Sequence, residues 1–355
     1  MALISKKKVP VRISDRLRQY LLHYGREVEV PIHYPDLLRY ENTIPLYDSV
    51  GNDTLWETVF FSQSDMQEVN DALKKVYAIL KADGDLRVMD HLRVDRVDVC
   101  TYANTQPFRV RIVNEINDNF DYFYIKHADA SRIYGLELEH LLSPNRINYY
   151  VQGHTLIEEH IIGIPGDAFI KYHLNHQNLN ETRLAKEFVK FNERCFVRLL
   201  GDMHSSNFVV DVTPDFEEVT YRLKSIDFDQ QSYEGRKNIY LPQYFKQNNP
   251  LINLGLKRMT PETVRQYRKE ERALIAKRIK AEKTRIEELL EAMVQDELST
   301  PERVIQLGKE LSAYYKEPSF EGCKNMGEIV KTSLWMVLER PNLYDTDFMS
   351  KGDPA

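Results

Sequence analysis

The chain has 355 residues, 42% of them apolar and 29% charged, which is ample material for more than one core. A net charge of −6 argues against a chain built as a general nucleic-acid or anionic-membrane binder. Three widely spaced cysteines (Cys100, Cys195 and Cys323) give neither a disulfide framework nor zinc-ligand spacing. The N-terminus lacks the apolar run of a secretory signal, and no stretch approaches the roughly 18 apolar residues of a membrane span, so a cytoplasmic protein is expected.

Residues 1–93 read as a mixed, mainly helical extension. In "DRLRQYLLHYG" (15–25), Leu17, Tyr20, Leu21 and Tyr24 fall at helical spacing, with Gly25 as the stop. A second helix is expected over 64–85, through Val69, Leu73, Val76 and Leu80. The turn-rich, aromatic stretch between them carries no clear period. The pattern then changes to alternation in "VDRVDVCTY", "PFRVRIVNEI" and "DYFYIKHA", three strands in a meander. A helix over 131–143 follows, with Ile133, Leu136 and Leu141 on one face, and then two more strands over 147–153 and 155–164.

Beyond residue 164 the chain reads as mainly helical. The stretch 181–200 carries Leu184, Phe188, Phe191 and Cys195 on one stripe, and Cys195 reads as a core residue. Two strand-like runs flank "TPDFEE", and one long helix is expected from Thr260, with Pro261 in its first turn. Its Lys and Arg alternate with Glu at three- and four-residue spacing, the pattern of a solvated, ion-paired helix rather than a nucleic-acid stripe. "STPERVIQLGKEL" repeats the Thr-Pro-Glu start.

Chemistry concentrates in two short stretches, "GDMHSSN" (201–207) and "SIDFD" (225–229). They follow a helix end and a β-hairpin respectively, so Asp202, Asn207 and Asp227 can be brought around one point. Hard Mg²⁺ prefers oxygen donors and keeps several waters, so one carboxylate and one amide oxygen suffice beside phosphate groups, leaving an aspartate to act as base. Asp202 is the expected base, and Asn207 and Asp227 the expected metal ligands. His204 reads as a loop-structuring residue, and Asp229 as either a second metal contact or a solvated carboxylate. Upstream, Lys126 alternates with Phe123 and Ile125 in a strand, placed to hold phosphates as a point charge with Glu137 or Glu139 as its partner. Glu137, which shares a face with Leu141, is favoured.

Order and spacing resemble the protein-kinase-like superfamily, and within it the aminoglycoside-phosphotransferase branch of small-molecule kinases. "LGDMHSSN" is similar to that branch's His-Gly-Asp-x-His-x-x-Asn loop, with Leu200 in place of the first histidine. "SIDFD" is similar to its metal motif, "YFYIK" to its ATP-lysine strand, and "TLIEEHIIGIPG" to the strand and hinge that cup adenine. The resemblance spans about residues 94–230. It implies an α+β, bilobal protein: an extension (1–93), a five-stranded antiparallel lobe with one helix (94–162), and a mainly helical lobe with the catalytic loop (163–355). It also implies ATP and Mg²⁺ as cofactors, Lys126 and Glu137 as the phosphate clamp, and Glu158 and His160 as hinge residues. The loop 103–107, at the nucleotide-loop position, has no glycine, and no Ala-Pro-Glu-like stretch follows "SIDFDQQSYEG". The expected activity is phosphoryl transfer to a hydroxyl of a small molecule. A nucleotide- or partner-binding pseudokinase and an interaction protein are the alternatives. Neither a membrane nor a nucleic acid is an expected partner; the acceptor and the oligomeric state are left open.

Overall fold

A computed structural model describes residues 8–339, apart from 49, 104, 178 and 215–218. The fold is mixed α and β, and it divides into a sheet unit (8–129 with 147–160) and a helical unit (130–146 with 161–339). Among the described residues, no helix is long and apolar enough to cross a membrane.

The sheet unit opens with α1 (Asp15–His23), capped by the Ser14 hydroxyl, which accepts from the Leu17 N–H. After α2 (Tyr34–Leu37) come β1 (Asn42–Tyr47), β2 (Asp53–Phe60) and α3 (Gln63–Ala82). The remaining strands are β3 (Leu92–Val99), β4 (Phe108–Asn114), β5 (Phe120–His127), β6 (Tyr149–Gln152) and β7 (Thr155–Glu159). They form one antiparallel sheet in the order β1-β2-β3-β4-β5-β7-β6.

The five-stranded sheet expected from the sequence is therefore corrected to seven strands, because the region before residue 93 adds the β1–β2 hairpin to β3. β1 is largely exposed and β2 mostly half-buried, so neither shows the clear buried-polar alternation that marks a strand. Pro45 also interrupts β1, and it is tolerated there because β1 is the sheet edge.

α3 supplies the core beneath the sheet. Its Val69, Leu73, Val76 and Leu80 pack with Val97, Val99, Phe108, Val110, Ile112, Phe123 and Ile125. Period-two alternation then sends Arg109, Arg111, Tyr122, Tyr124 and Lys126 to the opposite face.

The helical unit holds α4 (Ala130–Leu142), α5 (Gly166–Tyr172), α6 (Glu181–Val197), α7 (Asn249–Arg258) and α8 (Pro261–Ala281). It continues with α9 (Lys283–Gln295), α10 (Pro301–Tyr315) and α11 (Met326–Glu339). A small antiparallel sheet of β8 (Ile164–Pro165), β9 (Phe208–Pro214) and β10 (Val219–Ser225) completes it, with β9 in the centre.

Two expectations change here. The single helix expected from Thr260 breaks at Glu282 into α8 and α9. The inserted helix α4, expected in the sheet lobe, divides with the helical unit. α4 is buried almost all round, charges included, so no single apolar stripe describes it. Its Tyr134 hydroxyl donates to Asp296 (2.7 Å), and its Glu139 carboxylate is held by Arg198, Ser143 and Asn145.

The ion-paired helix α8 is only partly solvated. Arg268, Glu271 and Arg272 are buried against α6, with Glu193 accepting from Arg268 Nε and facing Arg272 Nε, each at 2.8 Å. Burial alone raises the Glu193 carboxyl, but the two guanidiniums outweigh it and hold that carboxyl below its usual range.

Candidate active site

The loop 201–207 leaves α6 through a kink that the sequence supports with small and polar residues. Gly201 is needed for close packing: a Cβ there would lie 2.9 Å from Ile239 Cγ2 and 3.1 Å from the Gln230 carbonyl oxygen. Asp202 follows with φ of +61°, in the left-handed region that an aspartate tolerates better than most residues. Neighbouring backbone fixes it there. Gly201 N–H donates to Gln230 O (3.2 Å), Asp202 N–H to Ile239 O (3.1 Å), and Ser232 N–H to Leu199 O (2.8 Å). The catalytic-loop candidate is thus clamped by the chain that follows the second motif.

The second motif meets the first through β9 and β10. Ile226 N–H donates to Asn207 O at 3.0 Å, directly after the strand register ends at Ser225–Phe208. Asn207 Nδ2 donates to Asp202 O (2.8 Å), which turns the amide oxygen away from that carbonyl. Asp227 Oδ1 accepts from the Asp229 N–H at 3.0 Å. Asp202, Asn207, Asp227 and Asp229 therefore share one loop cluster.

Electrostatics sets Asp202 apart. Burial, followed by the charges of Asp227, Asp229 and Glu234, pushes its carboxyl up to about 7. His204 takes the structural role expected of it: its Nδ1 accepts from Ser206 N–H (3.3 Å), capping the short turn 205–207. Its Nε2 stands 4.0 Å from Asp202, and burial lowers its pKa, so the imidazole is neutral near neutral pH.

Oxygen donors dominate this cluster, which is the chemistry of a hard cation. Among the described residues no group of three His, Cys, Asp or Glu side chains is spaced to hold a metal by itself. The donor set of Asp227 with the Asn207 amide fits a Mg²⁺ that takes its other ligands from phosphate and water, and it does not fit a protein-enclosed metal.

In the sheet unit, Lys126 Nζ lies 2.9 Å from Glu158 Oε2 on the neighbouring strand, and 5.3 Å from the Tyr124 ring centroid. Glu158, expected as a hinge residue, thus supplies a carboxylate to the lysine. In the helical unit, Glu137 has its Oε2 2.8 Å from Arg285 of α9. His160 Nδ1 is 3.1 Å from the Tyr124 hydroxyl, whose pKa burial pushes up to about 12. Arg109 lies over the Trp56 ring at 4.3 Å and is paired to Asp98 at 2.8 Å.

The glycine-free loop is fastened from α2: the Tyr34 hydroxyl is 3.1 Å from Gln106 O and 3.2 Å from Thr105 O. Asn104 lies outside the described residues.

Sequence reasoning missed Arg132. This α4 residue is 2% exposed, and its Nη1 reaches Asp227 Oδ1 at 2.9 Å and Asp229 Oδ1 at 2.7 Å. The available signal was weak: an arginine near the small residues Ser131 and Gly135, in a helix that also carries Glu137 and Glu139.

No protein-family model matches the chain, and no curated protein matches it significantly.

Proposed function

We propose that this protein is a kinase-like phosphotransferase that moves the γ-phosphoryl group of ATP to a hydroxyl of a small molecule, with Mg²⁺ required. One observation carries the reading: Asp202 lies in a loop clamped on both sides, where burial and then the neighbouring carboxylates push its carboxyl up to about 7. A carboxylate poised near the working pH suits a general base. Asp202 takes the proton of the acceptor hydroxyl as the acceptor oxygen bonds to phosphorus and the bond to the ADP oxygen breaks. Asp227 and the Asn207 amide oxygen are the residues to hold Mg²⁺, which when bound neutralises charge on the β and γ phosphates. Lys126, with Glu158 at its ammonium, is the phosphate-binding cation, and the segment around Glu158 and His160 receives the adenine. Glu137, ahead of Glu139, is the α4 carboxylate assigned to that ammonium.

Nucleotide binding without transfer is the second reading, favoured by the absence of glycine from residues 103–107. A thermal-shift titration with ATP and Mg²⁺ tests both. Ligand that binds only the folded state raises the melting temperature by mass action, so stabilisation that needs both components is expected. No change at saturating nucleotide removes either reading; stabilisation without any phosphorylated product across a panel of alcohols leaves the second.

A further inference from the structure

The carboxylate pair of the second motif already has a cation, and it comes from the chain itself. Arg132 contacts Asp227 and Asp229 through one nitrogen, and its Cζ lies 5.9 Å from the ring centroid of the intervening Phe228. The helix bearing it is fitted closely to this segment. The Ser131 hydroxyl donates to Gln231 O at 2.6 Å, and a Cβ at Gly135 would come within 3.0 Å of Phe228 Cβ. Arg132 therefore cannot withdraw freely along its helix.

We propose that Arg132 is a resident counter-ion of the Asp227–Asp229 pair that competes with the divalent cation, so that metal enters the site weakly until phosphate oxygens arrive with it. The inference rests on the reading of Asp227 as a metal ligand. The physical reason is direct. A guanidinium bonded to both carboxylates occupies acceptor sites a metal needs, and its charge opposes a dication a few ångströms away. Triphosphate brings its own negative charge and oxygen ligands, which restores the balance. Cation binding is thereby made conditional on nucleotide, a form of regulation built into the ligand set.

The test measures Mn²⁺ binding to the full chain by paramagnetic resonance, without nucleotide, for the unmodified protein, Arg132→Met and Arg132→Lys. Arg132→Met keeps most of the side-chain length and removes the charge; it is expected to bind Mn²⁺ at least about tenfold more tightly. Arg132→Lys keeps the charge and is expected to stay near the unmodified protein. A residue that only packs the helix would give no such gain in either variant. If the unmodified protein binds Mn²⁺ and Arg132→Met binds it no better, the proposal is overturned and the metal reading stands. If only Arg132→Met binds, the proposal holds, and the natural chain is expected to bind Mn²⁺ once a nonhydrolysable ATP analogue is added; no binding even then removes the metal reading. Binding to none of the three without nucleotide overturns the proposal, and binding to none with the analogue present overturns the metal reading as well. Should Arg132→Met fail to fold, nitrogen-15 spectra of the arginine side chains in the unmodified protein decide. The Arg132 guanidinium signals must shift as Mg²⁺ and a nonhydrolysable ATP analogue are added together, and unchanged signals sink the idea.

Discussion

Two regions of this molecule handle charge in opposite ways. Along α6 and α8, buried charges are matched at short range: Arg268 and Arg272 flank Glu193 across the two helices, and Arg194 meets Glu187 within α6 at 2.6 Å. Around Asp202, burial and then the charges of three further acidic groups push one carboxyl up to about 7. The first arrangement is how a helix pair buries ions without losing stability; the second spends stability on a reactive group. Burial of charge alone therefore does not mark a site here. A carboxyl pushed up toward neutral pH does.

The contrast makes its largest prediction in catalysis. Asp202→Asn keeps shape and removes the base, so transfer should fall by roughly 10²–10⁴-fold while nucleotide binding persists. Steady-state kinetics alongside the ATP thermal shift would check this. Equal loss of binding and turnover would mean that Asp202 holds nucleotide or fold, and not the proton.

In the matched region, the same kind of change should act on stability. Glu193→Gln leaves two buried guanidiniums without their carboxylate, at a cost of about 3–5 kcal/mol. Denaturant unfolding should show the midpoint fall accordingly, and a midpoint unchanged from the natural protein would mean that the network relaxes around the loss.

Asp202→Asn should also stabilise the protein, and the sign depends on pH. The folded-state pKa near 7 lies above the unfolded value near 4, so the folded chain holds this proton more tightly. The penalty is absent below about pH 4, grows through the interval, and is complete above pH 7. The variant should therefore gain about 2 kcal/mol over the natural protein near pH 8 and nothing near pH 4, discounted for partial exposure of the side chain. Paired melting curves at the two pH values test this; a constant difference would place the cause elsewhere than in the ionisation.

How much of this was legible follows from how each feature is written in the chain. The loop 201–207 and the segment 225–229 are short and contiguous, so Asp202, Asn207 and Asp227 could be grouped before any fold was known. Strands β4 and β5 were equally readable, because Phe108, Val110, Ile112, Phe123 and Ile125 alternate over the α3 core. Hairpin β1–β2 was not, since an exposed strand interrupted by Pro45 and a mostly half-buried one leave no clear period to detect. Arg132 and the Glu158 partner of Lys126 are contacts made across 95 and 32 residues, and nothing local marks them. The placement of α4 failed for a related reason. A helix buried on all sides presents several faces, and amphipathic reasoning can follow only one.

The smallest effect concerns the glycine-free loop. Its backbone is not loose: Gln106 has φ of +41°, and its N–H donates to Ala103 O at 3.2 Å. One hydroxyl, from Tyr34, serves both Thr105 O and Gln106 O, and burial raises the Tyr34 pKa, so the phenol stays a donor throughout the neutral range. Tyr34→Phe keeps the ring contact with Phe108 and removes only this donor. The cost should be about 1 kcal/mol, the net worth of one neutral hydrogen bond. Because the lost bond fastens the loop and not the core, it should appear first as faster amide exchange at Thr105 and Gln106, with little change in the α3 core. Faster exchange across α3 and β4 as well would mean that the hydroxyl supports the unit as a whole. Exchange unchanged everywhere would mean that the turn holds itself through its own backbone bonds.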